Sequence, residues 1–299
     1  MKALVIVNPV SGRNMIDDYI GDILSVIRRN GYEPMIRMTR GKDDARQFAS
    51  EWGESVEAIV CCGGDGTLSE VINGIAELEK RPVIGYIPTG TTNDFSRNMG
   101  LSADILKSII DLNHGEIREV DIGQFGEKHF VYVASFGLFA QSSYATPQNL
   151  KKWFGHLAYV ITGSRELLNL QSCHVRVTDA DGRVFEDDYI YGSVSNSTSI
   201  GGLLRFEEAA VDLQDGLHEV VLIRRPKNLA EFNDAARAVL SGVYDSECIT
   251  VFSSSRVTFE SDGIIDWSLD GEHERTEGTV EILNIPRAVR LIFPKSVTK

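Results

Sequence analysis

The sequence predicts two domains of different fold class: an α/β domain with a parallel sheet, followed by a mainly antiparallel β-sandwich. The chain has 299 residues, which is enough for two domains of ordinary size. Up to Val120, continuous apolar runs alternate with segments of helical period, whereas short segments of period two predominate after it. We therefore expect domains at 1–120 and 121–287, and the last segment, about 288–299, could join either of them.

The N-terminal elements follow one another in a βαβαβ order. Residues 3–7 form a continuous apolar run that ends at Asn8, as expected of a strand covered on both faces. Apolar residues from Ile20 to Ile27 then recur at helical spacing. This alternation predicts parallel strands. The predicted strands are 3–7, 34–39, 58–62 and 82–88, and the predicted helices are 17–29, 43–52, 67–78 and 105–112.

The C-terminal part alternates apolar and polar residues over short segments, which is typical of antiparallel strands. Two predicted helices interrupt these strands, at 152–168 and 229–243, and an apolar stripe through Phe232 and Val239 predicts a buried face for the second helix. The predicted strands are 128–134, 173–178, 188–194, 217–223, 249–252, 256–260 and 279–283.

Composition excludes several classes of protein. Lys and Arg number 30 and Asp and Glu number 43, so the formal net charge is −13, whereas nucleic acids are bound by positive surfaces. No uncharged apolar run approaches the roughly 20 residues that span a bilayer, and the start of the sequence is a poor signal peptide. The four cysteines show neither a disulfide framework nor metal spacing. We therefore expect a cytoplasmic protein that binds no nucleic acid.

A glycine-rich loop, GGDGT at 63–67, follows the third predicted strand and opens a helix. Backbone N–H groups and the helix dipole at such a position hold phosphate. The spacing matches neither GxGxxG nor GxxxxGK[ST], so a dinucleotide fold and a P-loop ATPase are poor matches. A tight turn is the alternative, but an Asp flanked by glycines at the carboxyl end of a strand is more than a turn needs.

Two further polar loops end neighbouring strands of the predicted sheet. Residues 8–13 (NPVSGR) follow the first strand, and residues 88–94 (PTGTTND) end the fourth. The carboxyl ends of parallel strands share one crevice in an open α/β sheet. Three loops that together carry one Arg and two Asp would therefore converge there, which suits a polyphosphate and its Mg²⁺.

These motifs resemble those of a known enzyme family. NPxSG at 8–12, GGDGTLxEVxNG at 63–74 and TGTxNDF at 89–95 look like the catalytic domain of diacylglycerol and sphingosine kinases, particularly the soluble bacterial diacylglycerol kinases. Further features up to DGE at 270–272 occur in the family's order, so the resemblance runs nearly end to end. NAD kinases and phosphofructokinases share the GGDG motif, and the other two motifs narrow the resemblance to lipid kinases.

The resemblance implies an N-terminal ATP-binding domain, a C-terminal β-sandwich and an active site between them. It also implies that Asp65 acts through Mg²⁺ on the phosphates, and that Asp94 supports the same network of metal and water. The residues that would line the ATP site are Asn8, Pro9, Ser11, Gly12, Thr39, Gly63, Gly64, Gly66, Thr67, Glu70, Thr89, Gly90, Thr91 and Asn93.

The segment Asp270-Gly271-Glu272 lies between two apolar strands of the second domain. Taken alone it predicts a hairpin turn, and the resemblance favours an acid that points into the cleft. Phosphoryl transfer to an alcohol needs a group that accepts the hydroxyl proton and orients the oxygen, and a carboxylate suits both tasks. Glu272 is therefore the candidate base, and Asp65, to which the wider family also assigns this role, is the alternative.

The resemblance matches a second acidic segment, 212–217, to a loop that holds a structural Mg²⁺ in the soluble bacterial enzymes. This sequence departs from the family there, because Gln214 stands where a second Asp is frequent. Asp215 with the main-chain oxygens of Asp212 and Leu217 could still hold the ion. A solvated turn is the alternative.

Taken together, the resemblance implies an ATP- and Mg²⁺-dependent kinase for the primary hydroxyl of a membrane lipid, first of all diacylglycerol. Another lipid such as phosphatidylglycerol or a sphingoid base, a soluble acceptor such as NAD, and a non-catalytic nucleotide-binding regulator are the alternatives. Since the chain is acidic overall, its contact with an anionic membrane must be local, and Lys151-Lys152-Trp153-Phe154 is the candidate surface. The sequence leaves a homodimer open.

Overall fold

The computed structural model divides the chain into two compact units. Unit 1 comprises Met1–Ile122 and Arg287–Lys299, and unit 2 comprises Gly123–Pro286. The structure describes residues 1–11, 15–91, 93, 95–96, 100–102, 104–137, 170–196, 199–200, 204–205 and 214–295. The predicted helix at 152–168 lies outside these residues.

Unit 1 is built on a parallel sheet with the strand order β2-β1-β3-β4. Its strands are β1 (Lys2–Val7), β2 (Glu33–Met38), β3 (Ala58–Gly63) and β4 (Val83–Pro88). The end of the last strand of the chain, β15 (Glu272–Phe293), pairs in parallel with β4 at Arg290 and Leu291. The prediction of a parallel N-terminal sheet is therefore confirmed.

Helices cover this sheet with their apolar faces. A 3₁₀ turn at Met15–Tyr19 precedes the first helix, so the α-helical part of the predicted segment 17–29 begins at Ile20. Ile23 and Ile27 of that helix are buried in the core of unit 1 together with strand residues. The described α-helices of unit 1 are α1 (Ile20–Arg29), α2 (Asp44–Trp52), α3 (Asp65–Ile75) and α4 (Ile105–His114).

Unit 2 is mainly antiparallel. The remaining described strands of the chain are β5 (Glu116–Phe125), β6 (Lys128–Phe130), β7 (Val133–Gly137), β8 (Cys173–Asp179), β9 (Val184–Ser195), β10 (Ser199–Ile200), β11 (Leu204–Arg205), β12 (His218–Arg224), β13 (Ile249–Ser254) and β14 (Arg256–Leu269). The strands β13, β12, β9, β7, β14 and β15 are successive antiparallel neighbours, and β8 joins both β9 and β14.

The core of unit 2 is aromatic. The indole of Trp267 is fully buried and lies within 4.8–5.1 Å, between ring centroids, of Phe125, Phe136 and Phe259. Helix α5 (Leu229–Ser241) buries Phe232 and packs against a second apolar cluster. No helix among the described residues is long and apolar enough to cross a membrane.

Several features of the strands differ from the prediction. Strands β14 and β15 extend well beyond the predicted segments 256–260 and 279–283, and the short strands β10 and β11 were not predicted. The predicted strand at 128–134 is broken into β6 and β7 at Val131 and Tyr132, because the backbone N–H groups of these two residues donate to the carboxylate of Asp270 instead of to a neighbouring strand. Strand β5 was not predicted at all, although it is ten residues long. Charged residues at 116, 118, 119 and 121 leave its sequence without a continuous apolar run, and its fully buried residues begin only at Val120.

Candidate active site

Three polar loops follow strands β1, β3 and β4 at the carboxyl edge of the sheet in unit 1. Backbone hydrogen bonds carry the ladder past the ends of the strands: Asn8 N–H donates to Cys62 O, and Thr89 N–H donates to Gly63 O, each over 2.8 Å. Since neighbouring strands hold these loop residues in register, the predicted convergence of the three loops is present in the structure.

Side chains also join the three loops directly. The Asn8 amide donates to the Thr67 hydroxyl over 3.0 Å, which connects the first loop to helix α3. Ser11 Oγ donates to Asn8 O over 2.8 Å and lies 2.5 Å from Thr89 Oγ1. Because the Ser11 proton is already used, the Thr89 hydroxyl is the donor in the second contact. Asn8, Ser11, Thr67 and Thr89 therefore form one network.

The glycine-rich loops approach each other so closely that side chains would not fit. A Cβ on Gly90 would lie 2.7 Å from the Cα of Gly64, and one on Gly63 would lie 2.5 Å from the Cβ of Thr67. Real Cβ atoms do not come this near to other heavy atoms, so glycine is required for packing at Gly63 and Gly90. The backbone of these glycines, without side chains, therefore forms the floor of the site.

The N-terminus of helix α3 is open. Its N-cap residue, Gly64, offers no side-chain hydrogen bond, and the first helical bond runs from Leu68 N–H to Gly64 O. A side chain on Gly66 would meet open space. A helix N-terminus with a positive dipole end, and without a side-chain cap from its N-cap residue, is suited to bind phosphate.

Asp65 is the first residue of α3, and a residue of the sheet donates a hydrogen bond to one of its carboxylate oxygens. The Tyr86 hydroxyl on β4 donates to Asp65 Oδ1 over 3.2 Å. Burial, and to a smaller extent the charge of Asp65, raise the pKa of Tyr86. The phenol therefore remains protonated and continues to act as a donor to this carboxylate.

Asn93 lies at a strained position of the third loop. Its φ is 48°, a left-handed value that Asn tolerates better than most residues. Its amide donates to Gly90 O over 2.8 Å, and its buried Oδ1 atom has no hydrogen-bond partner among the described residues. Because an unpaired buried oxygen costs free energy, this atom is a candidate contact for a ligand or a water.

Two of the predicted ATP-site residues, Glu70 and Thr39, form hydrogen bonds that stabilise unit 1. The carboxylate of Glu70 accepts hydrogen bonds from Asp43 N–H and Ala45 N–H, each over 3.1 Å, and so caps helix α2 from helix α3. Thr39 is buried directly after β2, and its N–H donates to Val7 O over 2.9 Å. Their assignment to the ATP site stays a prediction.

In unit 2, Asp270 and Gly271 form a two-residue hairpin turn with positive φ at both positions, 50° and 94°. The carboxylate of Asp270 accepts three backbone hydrogen bonds, from Val131 (2.7 Å), Tyr132 (2.9 Å) and Val133 (2.9 Å). Glu272 begins the returning strand β15 and is half-buried. The turn and its anchor therefore position Glu272, whose role as base stays a prediction.

The described part of the acidic loop, residues 214–217, forms a turn of its own. Asp215 is exposed, and its Oδ1 accepts from Leu217 N–H over 2.9 Å. The carbonyl of Leu217 accepts from the Asn284 amide over 3.0 Å. Within the residues that the structure covers, no three His, Cys, Asp or Glu side chains cluster as a metal site. Asp212 lies outside them, so the structural Mg²⁺ stays a prediction.

Several other residues of the predicted sites also fall outside the described part of the chain: Gly12, Asp94 and the segment 151–154.

A family model for the diacylglycerol kinase catalytic domain matches residues 2–125, and one for the YegS C-terminal NAD kinase beta sandwich-like domain matches residues 133–293. The diacylglycerol kinase of Bacillus subtilis (strain 168) is 33% identical over 301 residues, which cover 98% of this chain and 97% of that protein. This chain belongs to the diacylglycerol kinase family. The family resemblance and the predicted fold class, an α/β domain plus an antiparallel β-sandwich, are thereby confirmed.

Other members of the diacylglycerol kinase family match with similar completeness. The diacylglycerol kinase of Staphylococcus carnosus (strain TM300) is 31% identical over 300 residues, with 99% of this chain and 96% of that protein covered. Two solved structures from Bacillus anthracis strain Sterne share the fold over 99% of this chain and 98% of theirs. Their TM-scores are 0.82 at 24% identity and, for the second, a diacylglycerol kinase, 0.74 at 22% identity.

The sequence did not reveal the hydrogen bonds of three residues of this family member. Tyr86 stands in an apolar strand, where only its hydroxyl marks it. Asp270 was noted as part of the DGE segment, but its three backbone partners lie about 138 positions away. Asp121 is fully buried and accepts from Arg287 N–H over 2.6 Å, which ties β5 to the returning end of the chain. A buried Asp flanked by Val120 and Ile122 was the one available signal.

Proposed function

We propose that this member of the diacylglycerol kinase family transfers the terminal phosphoryl group of ATP to the primary hydroxyl of diacylglycerol, which yields phosphatidic acid. The observation that carries the proposal is the network of three polar loops around the open N-terminus of α3. An open helix end with glycine neighbours suits a polyphosphate. Relatives named diacylglycerol kinases, similar over the whole chain, support the acceptor.

In this proposal the first-turn N–H groups of α3 bind the phosphates of ATP, and the hydroxyls of Ser11 and Thr89, which bond to each other, hold two of the loops around the site. Gly64 and Gly90 have no side chains of their own, so they let the phosphates come close to the backbone. The unpaired Oδ1 of Asn93 is a further group available to the nucleotide or to its water.

The donor set also fits Mg²⁺, which prefers carboxylate and amide oxygens with water. Asp65, with Asp94 from the third loop, would hold the ion. When bound, Mg²⁺ would neutralise negative charge on the phosphates. Tyr86 fixes one oxygen of Asp65, which keeps the carboxylate oriented before the nucleotide arrives.

The proton of the acceptor hydroxyl requires a base, and we assign this role to Glu272, with Asp65 as the alternative. The turn at Asp270 fixes where β15 begins and thus holds the backbone of Glu272. A half-exposed carboxylate at that position can accept a proton from an alcohol and orient its oxygen.

A phosphorylation assay with radiolabelled ATP tests the proposal. Dioleoylglycerol, phosphatidylglycerol, sphingosine, NAD and glucose are offered in parallel, the lipids in mixed micelles, and each with and without Mg²⁺. We expect label in phosphatidic acid that depends on Mg²⁺. Label only in NAD or in glucose would contradict the proposal, and label mainly in another lipid would keep the kinase and change the acceptor.

A lipid acceptor also requires contact with a membrane, for which we propose Lys151 and Lys152, followed by Trp153 and Phe154. The two cations should each contribute about 1 kcal/mol of attraction to anionic headgroups, screened by salt. We expect K151E/K152E to bind anionic vesicles more weakly in sedimentation and to raise the KM for lipid without changing the KM for ATP. Binding by the variant that is unchanged and independent of salt would place the contact elsewhere.

A homodimer is the last part of the proposal. Light scattering after size exclusion measures the mass directly, and a single species at the 33.1 kDa of one chain would contradict it.

A further inference from the structure

Unit 1 contains a cleft of about 310 Å³ at the amino edge of its sheet. Ala3, Ala58 and Val83, near the starts of β1, β3 and β4, lie on its floor, and residues of α1 and α4 line its walls. The ATP-site loops follow the carboxyl ends of the same strands. Since each strand has six residues, the cleft and the loops are about 20 Å apart along the strands.

The cleft exists because small residues leave space between two helix ends. Alanines, Ala3 and Ala58, occupy two of the floor positions. At the rim, Met1 is 65% exposed and Ile117 is 58% exposed, so large apolar side chains face water there. A concave apolar surface of this volume lies within the range of small-molecule sites in proteins.

The lining defines the chemistry of an occupant. Among the thirteen residues that line the cleft, none has a charged side chain. The part of a ligand that enters it is therefore uncharged and aliphatic, because a buried charge without a partner is costly.

The two polar side chains in the lining are Asn30 and Tyr32. The Asn30 amide group donates both of its protons, to Val26 O over 3.1 Å and to Asn113 Oδ1 over 2.9 Å. What Asn30 still offers is its carbonyl oxygen, which accepts hydrogen bonds, and the Tyr32 hydroxyl both donates and accepts. A hydroxyl group can bond to both residues, whereas a carboxylate or a phosphate, which only accepts, can bond to Tyr32 but not to the Asn30 oxygen.

The volume of the cleft limits the length of an aliphatic ligand. An apolar cavity of about 150 Å³ holds benzene, so a cleft about twice as large holds roughly ten to twelve non-hydrogen atoms. We propose that the amino-edge cleft, defined by Ala3, Ala58, Val83, Asn30 and Tyr32, binds a single aliphatic chain of about ten carbons that ends in a hydroxyl. This cleft is separate from the ATP-site loops at the other edge of the sheet, and the proposal does not depend on the proposed kinase reaction.

Displacement of a neutral fluorescent probe, N-phenyl-1-naphthylamine, from the full chain tests the proposal. 1-Decanol, decanoate and decane are the competitors, each used below its aggregation limit and without ATP. Decanol should displace the probe, and decanoate should need at least tenfold more. A58L fills the floor and should abolish probe binding, while A230L, the same change on an exposed position of α5, should leave it unchanged. Thermal melts show whether each variant is folded.

Y32F keeps the volume and removes one hydrogen bond, so it should weaken decanol about 2- to 12-fold and leave decane unchanged. If A58L fails to fold, Y32F still tests whether the cleft binds the hydroxyl of the ligand. Equal displacement by decanol and decanoate, or unchanged binding in both A58L and Y32F, would overturn the proposal. Phosphorylation of diacylglycerol is measured in a separate assay. Failure of the cleft proposal therefore does not affect the kinase proposal, and failure of the kinase proposal does not affect the cleft proposal.

Discussion

The hydroxyl of Tyr86 donates a hydrogen bond to Oδ1 of Asp65 over 3.2 Å, which joins strand β4 to the first turn of helix α3. Tyr86 is 5% exposed, and its ring packs edge to face against Phe95 with centroids 6.1 Å apart. Packing therefore holds the phenol in place, and its hydrogen bond orients the carboxylate of Asp65 in the GGDG motif.

Y86F should keep the ring packing and release Asp65. A hydrogen bond to a charged group contributes about 1.5 to 3 kcal/mol to stability, so we expect the melting temperature to fall modestly. We expect kcat to fall about tenfold or more, because the released carboxylate is no longer oriented. Steady-state kinetics beside a thermal melt measure both. A folded Y86F with the kinetics of the unmodified chain would show that Asp65 needs no support from the sheet.

D65N should abolish measurable turnover, with a loss of at least about 10³-fold, because the carboxylate is needed against charge on the transferred phosphoryl group. The amide can still accept from Tyr86, so the fold should survive. D22N, the same change on an exposed residue of α1, is the matched control and should be fully active. Activity in D65N equal to that of D22N would remove Asp65 from the mechanism.

E272Q keeps the size of the side chain and removes its basicity. If Glu272 is the base, kcat should fall by about 10² to 10⁴ and the affinity for ATP should stay unchanged. Turnover and nucleotide binding are measured on the same preparation. A normal kcat in E272Q would transfer the role of base to Asp65.

D270A should destabilise unit 2, because three backbone N–H groups lose their acceptor. We expect a loss of about 2 to 4 kcal/mol in the free energy of unfolding, measured by urea denaturation. D270N tolerates the positive φ and keeps one acceptor oxygen, so it should lose less. Equal losses in the two variants would mean that the negative charge of the carboxylate, which both variants lack, dominates at this turn.

His218 should make folding sensitive to acid. It is 1% exposed, its Nδ1 lies 2.8 Å from the Asn284 amide nitrogen, and burial lowers its pKa to about 3. An unfolded histidine has a pKa near 6.5, so below that pH the unfolded chain binds the extra proton. The contribution of His218 to stability is therefore complete above pH 6.5 and is lost as the pH falls towards 3.

At pH 5 this loss amounts to about 2 kcal/mol relative to pH 7. H218Q removes the titrating group, and urea denaturation at both pH values compares it with the unmodified chain. The difference in unfolding free energy between pH 7 and pH 5 should be about 2 kcal/mol smaller in H218Q. An identical pH dependence would show that the imidazole becomes protonated within the folded state.

Much of the fold could be predicted because its signals are local. The apolar runs at 3–7 and 58–62 and the helical spacing from Ile20 to Ile27 fall within single elements, and the structure confirms each of them. Strand β5 escaped because charged residues interrupt its apolar side chains, and its first half is not fully buried. The break between β6 and β7 escaped because its cause, Asp270, comes from a distant part of the chain.

The sequence by itself determined the parallel sheet, the three polar loops and the resemblance to the diacylglycerol kinase family, since each rests on residue order and spacing. Only the tertiary structure decided that Glu70 caps α2, that Gly90 packs on Gly64, and that Tyr86 holds Asp65. These contacts join residues 21 to 27 positions apart. A polar side chain or a glycine has the same local pattern whichever partner it meets, so only the folded backbone selects that partner.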